Sequence, residues 1–289
     1  MQQTLSENAK LLGLGEGVFH KEQVLSEYVK KCHSALKNRV NIGILGFILR
    51  ARNIPTMNIL VSGGTKGIGR AIVKKFAQQG FGVAFYSKNP DNLKSLKDEL
   101  LLSNPDTNIY CAEVDAADTP SVKSFAADAL KQLGHFDVLV NNVGIFKPGQ
   151  VLSEQEGVLE HLLQVNVASA YHLTRMVLPD MLKQKKGHIF NICSTASIIP
   201  YVNGGSYCIS KFALLGMSKV LREELKETNI RVTAVLPGAT YTESWSSSNL
   251  PEDRFIQAED ISAAIWSCYQ LSAHAVVEEL LIRPQLGDI

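Results

Sequence analysis

The chain has 289 residues, a formal net charge of +1 and 45% hydrophobic residues, enough for one globular domain with a large core. That near-neutral balance supplies no electrostatic footprint for nucleic acid. Its five cysteines (Cys32, Cys111, Cys193, Cys208, Cys268) are odd in number and scattered, which excludes a disulfide framework and metal-spaced pairs; buried free thiols in a reducing cytoplasm are the expectation.

Residues 1–56 form a leader. Its longest apolar run, Val40 to Leu49, is too short to cross a bilayer and lies too far from the N-terminus for a secretory signal. Lys21 to Lys37 suits a polar helix. Met57 stands directly before the first strand-like run, placed like an initiator. Two expectations follow: a true start at Met57, or a real helical extension before a domain spanning 57–289.

Met57 to Val61 reads as a short buried strand. It enters Ser62-Gly63-Gly64-Thr65-Lys66-Gly67-Ile68-Gly69, and an amphipathic helix follows from Arg70 to Ala77. A strand, a glycine-rich turn and a helix start are the context in which a glycine motif binds a dinucleotide. Gly63 permits the turn, Gly67 lets a pyrophosphate approach the backbone, and Gly69 lets the helix pack on the sheet. The N–H groups of the first helical turn then face phosphate. The second strand, Gly82 to Tyr86, ends in Ser87-Lys88, where an NAD-binding fold usually carries an acid for the ribose 2′-hydroxyl. No acid follows until Asp91. Lys66 and Lys88 instead offer cations where a 2′-phosphate would lie, so NADP(H) is expected over NAD(H).

Apolar runs continue to alternate with helical patterns. Strands are expected near 57–62, 82–87, 108–114, 137–141, 187–193, 230–235 and 276–283, and helices near 68–80, 90–103, 119–133, 153–184, 205–228 and 258–271. This is the α/β class: one Rossmann-type doubly wound domain with about seven parallel strands and helices on both faces. The ligand crevice then lies beyond the carboxyl ends of the strands, where Gly63, Asn142, Ser194 and Pro237 fall.

Tyr207 and Lys211 are four residues apart, on one face of the expected helix. An ammonium beside a phenol favours phenolate and suits proton exchange with a carbonyl or alcohol. Ser194 ends an apolar strand and presents a hydroxyl to the same end of the sheet. The segment from Tyr241 to Phe255, with Trp245, reads as a flap over the substrate.

These residues resemble those of the short-chain dehydrogenases/reductases over 57–289. Ser62 to Gly69 is similar to the family's Thr-Gly-x-x-x-Gly-x-Gly, with Ser for Thr. Asn141-Asn142-Val143-Gly144 resembles its Asn-Asn-Ala-Gly, with Val for Ala. Asn166, Ser194, Tyr207 and Lys211 match its catalytic tetrad. The resemblance implies that Asp115, followed by Ala116, contacts adenine. It also implies that Thr65 and Ile68 join the glycine cradle, and that Pro237, Gly238, Thr240 and Thr242 approach the nicotinamide carboxamide. Tyr207 would exchange the proton, Ser194 would hold the carbonyl oxygen, and Lys211 would also hold the ribose hydroxyls. Asn166 would position a water linking Lys211 to solvent.

The C-terminal stretch from Val276 to Gln285 lacks the Gly-Gly-rich ending of 3-oxoacyl-carrier-protein reductases. It is more similar to sepiapterin-reductase-like and 3-hydroxy-acid dehydrogenase-like members. A small carbonyl or alcohol therefore ranks first as substrate and 3-oxoacyl thioesters second. A catalytically silent NADP-binding regulator is the competing class; the filled tetrad favours the enzyme. Relatives assemble through the long helices, so a cytoplasmic homodimer or homotetramer is expected.

Overall fold

The computed structural model describes residues 57–242 and 250–288. The leader, Cys32 and Trp245 lie outside the described residues. Among the described residues there are seven strands: β1 (Asn58–Val61), β2 (Gly82–Ser87), β3 (Ile109–Glu113), β4 (Val138–Asn141), β5 (Gly187–Ile192), β6 (Ile230–Pro237) and β7 (Glu279–Ile282). They form one sheet in the order β3-β2-β1-β4-β5-β6-β7, every pair parallel. The chain winds outward from β1 to β3, returns to the centre, and winds the other way from β4. The direction therefore reverses between β1 and β4, which pair Ile59 with Val138 and Val61 with Val140. Neighbouring loops diverge at such a reversal and leave a crevice at the strands' carboxyl ends.

The helices are α1 (Gly67–Gln78), α2 (Pro90–Ser103), α3 (Thr119–Leu133), α4 (Val158–Leu163), α5 (Ser169–Gln184), α6 (Gly205–Leu225) and α7 (Ala258–Gln270). Alternation along the strands divides the core. Ile59 and Val61 point to a layer with Ile72 and Phe76 of α1, Leu96 of α2 and Ile265 of α7. Leu60, between them, points to the opposite layer with Phe125 of α3 and Leu173 and Val177 of α5. Local chemistry fixes the start of α2. Asn89 caps α2, its side-chain oxygen accepting the Asn92 N–H at 3.0 Å, with Pro90 in the first turn.

The helix expected over 153–184 is interrupted. Residues 150–157 are turns, and a π-turn at Gln164–Ala168 separates α4 from α5. The expected last strand shortens to β7, and the sixth extends to Pro237.

His188 of β5 is 1% exposed and stacks on Phe190 with ring centroids 3.9 Å apart. Its Nε2 lies 2.8 Å from Thr233 Oγ1, which donates its own proton to Val277 O at 2.6 Å. Nε2 must therefore carry hydrogen, and Nδ1 is buried without a hydrogen-bond partner. Burial, and secondarily Arg231, hold this imidazole well below its ordinary range. The unfolded chain protonates near the free value of about 6.5, while the folded one resists until lower pH. Stability from this residue is thus complete above that value and is lost as pH falls below it. The urea midpoint should drop between pH 7.5 and 5, with a shallower slope in His188→Gln; equal slopes would contradict the assignment.

Candidate active site

The chain leaves β1 through Ser62, which is 2% exposed. Its hydroxyl oxygen accepts the N–H groups of Asn142 and Val143 at 2.8 and 3.0 Å. The Asn142 amide donates in return to the carbonyls of Ser62 and Gly63 at 2.9 and 3.0 Å. The ends of β1 and β4 are thus laced together where the winding reverses. Gly63 takes φ +65. A Cβ on Gly69 would meet Gly63 O at 2.2 Å and Asn142 Nδ2 at 2.5 Å, so α1 closes on the turn only without a side chain there.

Lys66 is the N-cap of α1, with extended φ −138 and ψ 158, and no side chain caps the helix. The first-turn N–H groups remain for an anion. Thr65 is buried, Ile68 half-buried and Lys66 exposed. Thr242, from the segment after β6, lies over the turn: its Cγ2 would be 2.9 Å from a Cβ on Gly67. The same segment is pinned by Gly238 N–H to Ile282 O at 2.8 Å and by the Thr240 hydroxyl to Gly238 O at 3.0 Å. Pro237 ends β6 and is buried.

At the end of β2, Lys88 Nζ lies 2.6 Å from Asp115 Oδ2, and Asp115 Oδ1 accepts the Ala117 N–H at 3.0 Å. These bonds, Lys88 first, hold the carboxyl below its ordinary range. The expected phosphate cation and the expected adenine contact are therefore each other's partners. Ser87 Oγ accepts the Asn89 N–H at 3.3 Å, and Ala116 is buried beside Asp115.

Tyr207 lies in the first turn of α6 and is half-buried. Lys211, one turn further, is 4% exposed. Its ammonium donates to Ile192 O at 2.9 Å and lies 5.9 Å from the Tyr207 ring centroid. A Cβ on Gly144 would be 3.1 Å from that nitrogen, so the Asn-Asn-Val-Gly glycine makes room for the charge. Ser194 caps the 3₁₀ turn Thr195–Ser197, its oxygen accepting the Ala196 N–H at 3.1 Å. That bond leaves the hydroxyl proton available to a ligand.

Asn166 sits in the π-turn, fully buried. Its side chain accepts the Ile145 N–H at 2.8 Å and donates to Ile145 O at 3.1 Å and Ser210 Oγ at 2.9 Å. Both amide hydrogens are committed, so the side chain ties the post-β4 loop to α6.

Two neighbours of Tyr207 carried no sequence signal. The Phe146 ring packs edge-on against it, with centroids 4.9 Å apart. Glu154 reaches the N-terminus of α6 at Ser206, the residue before it. Cys193, next to Ser194, has its thiol pushed up to about 11, chiefly by burial. Among the described residues there is no group of three or more His, Cys, Asp or Glu side chains able to hold a metal ion, and no helix long and apolar enough to cross a membrane.

The family model for short chain dehydrogenases matches residues 57–253, and the chain belongs to that family. It is an oxidoreductase acting on CH–OH groups. Sepiapterin reductase from Chlorobaculum tepidum is 30% identical over 239 residues, covering 80% of this chain and 97% of that protein. The NADP-dependent 3-hydroxy acid dehydrogenase YdfG of Escherichia coli K12 is 31% identical over 242 residues, covering 79% and 95%. A metagenomic short-chain oxidoreductase solved with NADP superposes with a TM-score of 0.70 at 27% identity, covering 80% of this chain and 98% of that one.

Because Gly69 faces backbone that cannot yield, Gly69→Ala should cost about 1–3 kcal/mol, the usual range for overpacking. Thermal unfolding checks this; an unchanged midpoint would show that α1 can back away from the turn.

Proposed function

We propose that the protein is an NADP(H)-dependent reductase of small carbonyl compounds, with Tyr207 as the proton donor. The observation that carries this reading is the Lys211 ammonium, desolvated between Gly144 and Ile192 O and set beside the Tyr207 ring. A buried ammonium with one neutral carbonyl partner is costly unless a nearby anion or phenolate uses its charge. The glycine cradle and the uncapped N-terminus of α1 suit a dinucleotide pyrophosphate. The NADP-bound neighbour and the NADP-dependent relative support the cofactor's identity.

Bound nicotinamide would supply the hydride; the protein's side chains manage the oxygen and its proton. Ser194 donates a hydrogen bond to the carbonyl oxygen and stabilises alkoxide charge as it develops. Tyr207 gives that oxygen its proton, and Lys211 stabilises the resulting phenolate. With its amide hydrogens committed, Asn166 would position a water through an oxygen. The exposed apolar residues Tyr171 on α5 and Ile209, Phe212 and Val220 on α6 favour assembly through those helices.

Tyr207→Phe should abolish ketone reduction while leaving NADPH binding, read by fluorescence, nearly intact; substantial residual turnover would refute the role. For cofactor choice, Lys88 is expected to leave Asp115 for the 2′-phosphate. Lys88→Ala should then raise the KM for NADPH about tenfold, as loss of one charge-assisted bond does, and leave NADH unaffected. Equal effects on both cofactors would remove Lys88 from phosphate recognition.

A further inference from the structure

The N-terminus of α6 is held by another element. Gly204, its N-cap, offers no side-chain hydrogen bond. In its place the Glu154 carboxylate, from the loop between β4 and α4, accepts the Ser206 N–H at 3.0 Å and the Ser206 hydroxyl on its other oxygen. The surrounding backbone is shaped for this contact. Gly205 takes φ +22, and a Cβ there would lie 2.2 Å from Glu154 Oε1. The Gly149 N–H donates to Asn203 O at 3.0 Å, Gly149 and Gly204 form an isolated parallel bridge, and the Gln150 amide bonds Asn203 Oδ1 at 3.0 Å.

We infer that Glu154 is a positioning residue for Tyr207: it staples the post-β4 loop to the first turn of the helix carrying the proton donor. This rests on the reductase reading above and adds a residue to it. Two physical consequences follow. The carboxylate fixes the backbone one residue before Tyr207 and so sets where the phenol meets the substrate oxygen. It also puts a negative charge at the helix end that carries partial positive charge, which steadies the first turn of α6. The other titratable groups near the phenol are Lys211 and Cys208 on α6 and Tyr201 from the loop after β5; Lys147 faces Glu154 itself.

Glu154→Ala removes both effects, and Glu154→Gln removes the charge while keeping one acceptor oxygen. Kinetics are read with NADPH and a neutral aryl ketone. Glu154→Ala should lower kcat about tenfold or more, as sub-ångström misplacement of a reacting group does, with the KM for NADPH unchanged. Glu154→Gln should recover most of kcat, because one acceptor oxygen for the Ser206 N–H remains. A folded Glu154→Ala protein with normal kcat, or a Glu154→Gln protein as slow as Glu154→Ala, overturns the inference. If Glu154→Ala does not fold, Ser206→Ala replaces it; that variant loses one of the two bonds and should lower kcat severalfold, and a normal kcat overturns the inference. Hydrogen exchange at the Ser206 amide supplies a readout independent of turnover and should quicken in Glu154→Ala. A wild-type protein that reduces no carbonyl refutes the reductase reading, whereas unchanged exchange at Ser206 refutes the staple.

Discussion

The lacing of β1 to β4 is the constraint on which the rest of the structure depends. These two short strands are neighbours in the sheet but belong to halves of the chain wound in opposite directions. Three registered pairs join them, and side chains secure both ends. At one end Asp137 accepts the Asn58 N–H at 2.9 Å. At the other, the Ser62 hydroxyl accepts two N–H groups from the chain leaving β4. Each such bond is worth about 1 kcal/mol net, but an unsatisfied buried donor there would cost about 1–3 kcal/mol. The glycine turn and Gly144 both grow from this junction, so that turn and the seat of the Lys211 ammonium share one foundation.

Behind the site runs a buried polar ladder. The Asn141 amide donates to Thr174 Oγ1 and Asn191 Oδ1, and the Asn191 amide donates to Ser218 Oγ, all at 2.8–2.9 Å. It crosses from α5 through β4 and β5 to α6. Apolar packing alone tolerates small slips, whereas this chain of hydrogen bonds, which leaves only Asn141 Oδ1 without a partner, favours one register. The ladder thus holds α6 at a fixed height on the sheet, and Tyr207 and Lys211 inherit that height.

The fold was legible because parallel strands buried on both faces read as unbroken apolar runs, separated here by helix-period segments. The glycine turn was legible because its residues answer to backbone geometry, as Gly69 shows. The pairing of Lys88 with Asp115 was not, since it joins the ends of different strands and depends on sheet order rather than local pattern. Glu154 was hidden for the same reason: it caps a helix 52 residues away, and sequence rules for caps look only to the helix's own start. The π-turn escaped notice because no residue type marks it: Gln164 to Ala168 contains neither glycine nor proline.

That wide turn is in effect an α-helix with one residue too many. Deleting any residue from Gln164 to Ala168 would allow α4 and α5 to merge into a single rod. The flanking helices would keep nearly their present orientation, because five residues of the wide turn sweep about the same angle as four of α-helix; the re-aiming would fall on the turn's own side chains. Asn166 would swing away from Ile145 and Ser210, and the loop it anchors would lose its tether. In this segment the number of residues matters more than most of their identities, so substitutions should be borne far better than insertions or deletions.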